Sequence, residues 1–323
     1  MSFKDIKGQE RPVHLLQEYI RLGCLTGSYL FTGEEGIGKM LTAKTLAKVL
    51  NCEAGPGDSC DACPSCLKIE KGEHPDVQII DGLGIDGCGG AAEPALYAAG
   101  QVKIEQIRQM QRHISLRPYE GKRKVFIIDN AHTLTQDAGN ALLKILEEPP
   151  AASLIILISA KSAMLLKTIV SRCKSIKFFP LKRSALEEIL KNDFRLEEGR
   201  AHFLAYFSEG RLGRAIRLKD SDILKEKNSA IDGFAAAEDK ARARTSLNAL
   251  AAWFRDIYIL KAGAPCSELI NLDRKEELSR HRDNYTFADL DAIFNSISTA
   301  LFYLERNANV KLLMSNLKAS LQR

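Results

Sequence analysis

Apolar residues along the chain recur first at helical and strand spacing in alternation, then at helical spacing alone. Between residues 10 and 22, Val13, Leu15, Leu16, Tyr19 and Ile20 share one helical face, with Pro12 in the first turn, where a missing N–H is harmless. Ser28-Tyr-Leu-Phe-Thr32 reads as a short strand, followed by the glycine-rich Gly33-Glu-Glu-Gly-Ile-Gly-Lys39 and a helix from about Met40 to Leu50. Lys124-Val-Phe-Ile-Ile-Asp129 and Ser153-Leu-Ile-Ile-Leu-Ile-Ser159 are β-branched apolar runs of the kind buried on both faces of a parallel sheet. Between them Ala138, Ala141, Leu142, Ile145 and Leu146 step by three and four, and Pro149-Pro150 stop that helix. Alternation of this kind predicts a doubly wound α/β core.

After Pro180 the strand-like runs cease. Leu181 to Glu209 reads as a small helical lid; Leu247, Leu250, Phe254 and Ile257, then Leu290, Ile293, Ile297, Leu301 and Leu304, read as helices of a bundle. The expected division is an α/β domain over 1–180 with a cysteine-bearing insertion at 51–70, a lid over 181–232 and a helical domain over 233–323. No internal repeat is evident, and 82–100 reads as a mobile loop.

Composition narrows the class. The 323 residues are 45% hydrophobic and 27% charged, with no apolar run long enough to span a bilayer and no apolar core near the N-terminus of the kind a signal peptide carries, so the expected location is the cytoplasm. A net charge of +5 permits contact with a phosphate backbone without requiring it. Four of the eight cysteines fall in one short stretch, which favours a metal over a disulfide framework.

The glycines at Gly33, Gly36 and Gly38 let backbone N–H groups face an anion, and Lys39 adds charge at a helix N-terminus. A phosphate loop of the Walker A type continues with Ser or Thr to hold magnesium; here Met40 offers a thioether. Val125-Phe-Ile-Ile-Asp129 has the form of a Walker B strand, and where a second acid would polarise water stands Asn130, which accepts no proton at neutral pH. Nucleotide binding is left open; efficient hydrolysis is not expected. The plain alternatives are a glycine-rich turn without a ligand and an Asp-Asn turn after a strand. Cys52, Cys60, Cys63 and Cys66 supply four thiolates, enough for a closed tetrahedral zinc site, with Lys68 and Lys71 near enough to offset its charge. Cys24, Cys88, Cys173 and Cys266 read as plain thiols.

Several segments together resemble the bacterial DNA polymerase III clamp-loader subunits, an AAA+ family: Phe3-x-Asp5-Ile6-x-Gly8-Gln9, Gly33 to Lys39, the cysteine cluster, Lys103-Ile104-x-x-Ile107-Arg108, Asn140 to Pro150, and Ser171-Arg172-Cys173. The resemblance implies an AAA+ domain with a RecA-like parallel sheet and inserted zinc module, a small helical lid and a C-terminal all-α collar. It gives Arg172 the role of an arginine finger entering a neighbour's ATP site, worth about 10³ to 10⁵ in rate for P-loop hydrolysis. Motor subunits of the tau/gamma type look like Gly-Lys-Thr, Asp-Glu and a sensor-2 arginine; Met40, Asn130 and Gly213, within Glu209 to Ile216, depart from all three and match the delta-prime type. Glu305 to Leu312 is similar to an Asn-x-Asn-Pro-Arg-Leu segment of the family, with Val310 where proline is usual. The implied partners are tau/gamma and delta in a hetero-pentamer, the sliding clamp and primed DNA.

Two rivals make different demands. An active AAA+ ATPase of the tau/gamma type would turn over ATP alone, against Met40 and Asn130. A zinc-dependent nucleic-acid-binding regulator would concentrate basic residues at the cysteines, yet 51–66 holds Glu53, Asp58 and Asp61 and no Lys or Arg. Lys103, Arg108 and Arg112 on a helix are candidates for DNA-backbone contact or a solvated face. Polymerase chemistry would belong to the holoenzyme, since paired metal-binding carboxylates are not evident.

Overall fold

The computed structural model describes residues 1–55, 57–82, 84–86, 100–233, 240–306 and 308–321. Cys88, Asn307 and most of the 82–100 segment lie outside them. The chain divides into two units, Met1–Pro180 and Leu181–Arg323.

In the first unit, α1 (Glu10–Arg21) precedes β1 (Gly27–Thr32), α2 (Lys39–Asn51) and α3 (Pro64–Lys71); then come β2 (Val77–Asp81), β3 (Gly84–Asp86), α4 (Ile104–Ile114), β4 (Lys124–Ile128), α5 (Gln136–Glu147), β5 (Ser153–Ser159), α6 (Lys167–Val170) and β6 (Lys174–Lys177). They form one sheet in the order β3-β2-β4-β5-β1-β6, parallel throughout except for β3 against β2. This is the AAA+ type of α/β fold. The runs at β4 and β5 are buried from end to end, as their unbroken apolar sequence predicts.

Period-two alternation sorts those apolar residues between two cores. Tyr29, Phe31, Val125, Ile127, Leu154 and Ile156 face α1 and α2, while Leu30, Phe126, Ile128, Ile155 and Leu157 face α4 and α5. The sequence reading missed α3, β2, β6 and also β3, which falls within the segment read as a loop. The first is a two-turn helix inside the cysteine segment, and the strands are short, β6 with three of its four residues exposed, so none carries a strong periodic signal.

The second unit is helical: α7 (Arg183–Asn192), α8 (Glu198–Phe207), α9 (Leu212–Lys219), α10 (Ile223–Gly233), α11 (Lys240–Lys261), α12 (Lys275–His281), α13 (Phe287–Glu305) and α14 (Val310–Leu321). The segments expected as lid and collar lie in one unit here. Buried Lys227 on α10 pairs with Asp273 at 2.6 Å, and the His202 ring on α8 meets the Leu269 carbonyl at 2.7 Å. The Asn309 side chain accepts the Leu312 N–H at 3.2 Å, which places Val310 at the first position of α14, where a proline is harmless. Among the described residues no helix is long and apolar enough to cross a membrane.

Buried Asp76 holds the turn before β4 by accepting N–H groups of Tyr119, Glu120 and Gly121 at 2.7 to 3.0 Å. Burial alone would raise its pKa, but the N–H groups of Gly121, Tyr119 and Glu120 outweigh it and hold the carboxyl below its ordinary value. A depressed folded pKa contributes stability above the unfolded value, about 3.9, that is lost as pH falls through the folded one. Asp76→Asn is therefore expected to lose about 1 to 3 kcal/mol at pH 7 in urea unfolding, with the gap to the unsubstituted chain narrowing below about pH 4. A gap that stays constant into acid would show that the carboxylate charge is not what holds the turn.

Candidate functional site

Register brings the chemistry to one edge of the sheet. Thr32 pairs with Ser159 and Ile128 with Leu157, so Gly33 and Asp129 emerge at the same carboxyl edge on either side of β5, where open α/β sheets bind ligands. Gly33, Gly36 and Gly38 all have positive φ, and the last caps α2. Gly33 cannot be replaced: a Cβ there would stand 2.5 Å from the Phe178 carbonyl oxygen. The loop is tied down by Gln9, whose buried side-chain amide donates to the carbonyls of Ile37 at 3.1 Å and Phe179 at 2.7 Å. Sequence reasoning gave Gln9 no role; its only signal was its place in Phe3 to Gln9.

Lys39 is 6% exposed, and its ammonium donates to the carbonyls of Gly33 at 2.6 Å and Glu34 at 2.5 Å. Burial lowers its pKa and raises that of Asp129, while each charge pulls the other back. Met40, one residue on, packs half-buried against the core under α2. Asn130 takes a left-handed backbone, φ 48°, which asparagine tolerates better than most residues. Its N–H donates to Asp129 Oδ1 at 2.9 Å and its side-chain amide to Oδ2 at 3.4 Å. Both carboxylate oxygens of Asp129 are thus covered by the residue that stands where a second acid would be.

Arg172 lies just after α6, about one-third exposed, with Nε and Nη2 on Glu147 Oε1 at 2.8 and 2.5 Å and Nη1 on the Thr168 carbonyl at 3.0 Å. Glu147, at the end of α5, is a partner the sequence did not reveal. Burial pushes the neighbouring Cys173 thiol up to about 12. On α4, Arg108 and Arg112 are exposed and Lys103 half-buried at the N-cap, while Ile107, Met110 and Ile114 face the core. The sensor-2 stretch lies in the second unit, where Gly213 is within α9 and the Arg214 guanidinium sits 5.2 Å over the Phe207 ring.

The four cysteines come together. Cys52 caps α2, Cys63 caps α3, Cys66 sits inside α3, and the four Sγ atoms lie within 4.8 Å of one another. A tetrahedral ion with bonds of about 2.3 Å wants sulfurs roughly 3.8 Å apart, so the set could hold a metal ion with small adjustments. Backbone N–H groups already point at the sulfurs, Cys63 to Cys60 Sγ at 3.3 Å and Cys66 to Cys63 Sγ at 3.5 Å. The N–H groups of Ala62 and Cys63 bring the Cys60 thiol down to about 6, and burial sends Cys66 up to about 12. Lys68 pairs with Glu120 at 2.7 Å, and Lys122 donates to the Cys52 carbonyl. Buried Lys48 pins the segment by pairing with Asp61 at 2.9 Å and with Glu70.

A family model described as DNA polymerase III, delta subunit, matches residues 8–182, and one described as DNA polymerase III, delta subunit, C terminal, matches 224–320. The chain belongs to this family. DNA polymerase III subunit delta' of Bacillus subtilis is 29% identical over 346 aligned positions, covering 100% of this chain and 99% of the relative. DNA polymerase III subunit tau of Escherichia coli is 36% identical over 228 positions, but that alignment covers 69% of this chain and 33% of tau. The end-to-end match puts this family member on the delta-prime side of the clamp-loader subunits, although local identity to tau is higher. Similar solved structures include a gamma-subunit-related protein of Thermotoga maritima (19% identity, 96% and 98% of the two chains covered, TM-score 0.47) and the clamp loader delta protein of Bacillus subtilis (12%, 96% and 99%, TM-score 0.38).

If the cysteines hold a metal, the purified chain carries about one ion by native mass spectrometry. Cys60→Ser, which removes the exposed ligand, is then expected to lower metal content and melting temperature together, because binding energy at such a site is folding energy. A purified chain that carries no metal, and that melts no higher than Cys60→Ser, would remove the site.

Proposed function

We propose that this delta-prime-like subunit is a non-hydrolysing AAA+ scaffold that lends Arg172 to the ATP site of a neighbouring motor subunit. The observation that carries the reading is at Asp129, where the Asn130 amide covers the carboxylate at the place of a water-polarising acid, with Met40 at the place of a magnesium ligand. Gly33, Gly36, Gly38 and Lys39 keep the architecture of a phosphate loop without the groups that would turn it over. Arg172, exposed beyond a four-residue helix, has the reach and charge to meet a γ-phosphate on another chain.

The partners under this reading are tau/gamma on one side and delta on the other, in a cytoplasmic hetero-pentamer that opens the sliding clamp and places it on primed DNA. Residues 1–180 serve as the AAA+ domain, 181–232 as lid and 233–323 as the collar joining the subunits. Cys52, Cys60, Cys63 and Cys66 hold a structural zinc, which as a closed four-thiolate site supplies rigidity and no catalysis. Lys103, Arg108 and Arg112 contribute backbone contact to DNA.

The test is ATP turnover by an assembly in which only the motor site facing this chain is left active, with clamp and primed DNA present. The isolated chain is expected to be silent, and Arg172→Ala, in an assembly verified by size, to slow that site by about 10³ or more. Turnover by the isolated chain, or an Arg172→Ala assembly as fast as the unsubstituted one, would sink the reading.

A further inference from the structure

The geometry points to Glu147 as an intramolecular latch on Arg172, holding the guanidinium back from a neighbour's ATP until assembly on clamp and DNA exchanges the carboxylate for phosphate. This inference rests on the trans-arginine reading above. Glu147 Oε1 receives two of the guanidinium N–H groups, at 2.8 and 2.5 Å, and the Thr168 carbonyl takes a third at 3.0 Å. Three donors are spent within the chain, and the group is folded back onto the helix that precedes it.

Charge decides the sense of the effect. An arginine accelerates phosphoryl transfer by presenting positive charge to oxygens on which negative charge grows. A carboxylate oxygen in contact with the same guanidinium cancels most of that charge at the distance of a phosphate. The retracted pair and the engaged finger are therefore alternatives, and Glu147 competes with the substrate phosphate for one cation. The competition is winnable because the pair is partly in water, with Arg172 34% and Glu147 50% exposed. Ion pairs of that exposure are weak, whereas a multiply charged phosphate offers stronger charge-assisted hydrogen bonds. Position favours coupling as well. Glu147 is the last residue of α5, and Arg172 follows α6, so a small relative shift of two neighbouring helix ends opens the pair.

Glu147→Gln keeps the shape and removes the charge. In the single-site assembly without clamp or DNA, it is expected to raise ATP turnover about two- to fivefold, the range an exposed ion pair can account for, with KM for ATP unchanged. With clamp and primed DNA present, turnover should match the unsubstituted assembly, since the latch is then already open. Turnover that is unchanged or lower without clamp and DNA overturns the latch; a fall with clamp and DNA present would make Glu147 an aligning group instead, and also overturns it. Arg172→Ala run alongside separates the two failures. If it silences the site while Glu147→Gln has no effect, the finger stands and the latch falls; if it changes nothing, the finger reading itself fails.

Discussion

The carboxyl edge of the first unit depends on one close approach, that of the Phe178 carbonyl to Gly33. β1 lies between β5 and β6, and the Phe178 N–H continues the ladder by donating to Thr32 at 2.8 Å. That pairing carries the backbone after β6 over the loop after β1 so tightly that no side chain fits at Gly33. Gln9 then ties Ile37 and Phe179 together from the N-terminal side. The phosphate-loop shape is thereby enforced from three separate parts of the chain and does not require a ligand to exist. A side chain at Gly33 would cost that packing.

Two opposite charges stand at that edge. Lys39 and Asp129 remain, each burdened by burial and each moderated by the other's charge. Beside that pair Met40 packs against the core, and Asn130 turns both its N–H and its side-chain amide onto Asp129. Asparagine there also suits the left-handed turn. Arg172, the charged residue of the Ser171-Arg172-Cys173 segment, is paired with Glu147.

The cysteine segment follows a different rule. Its helix caps, backbone N–H groups and the buried Lys48 place four sulfurs together by local means, with few apolar contacts of its own. Polar pinning suits an excursion that is rich in Gly, Asp and Ser and has little core to bury.

Much of this was legible in the sequence. Long, one-signed patterns were readable: the fully buried strands β4 and β5, the glycine loop, the amphipathic helices, and a cysteine spacing that four ligands of one ion would need. The family resemblance rested on contiguous motifs, and the family model over 8–182 covers them from Gly8 to Cys173. What the sequence left out are pairings between residues far apart in the chain, such as Gln9 with Phe179, Asp76 with Tyr119 to Gly121, Lys227 with Asp273, and Arg172 with Glu147. Short elements with weak periodicity, α3, β2, β3 and β6, were missed for a related reason, since they are stabilised by their neighbours more than by their own pattern. Residue type and spacing determine which groups a chain possesses and which local shapes it can take. Which carboxylate meets which cation is decided only when the sheet closes, because that choice depends on distances through space that no periodicity along the chain records.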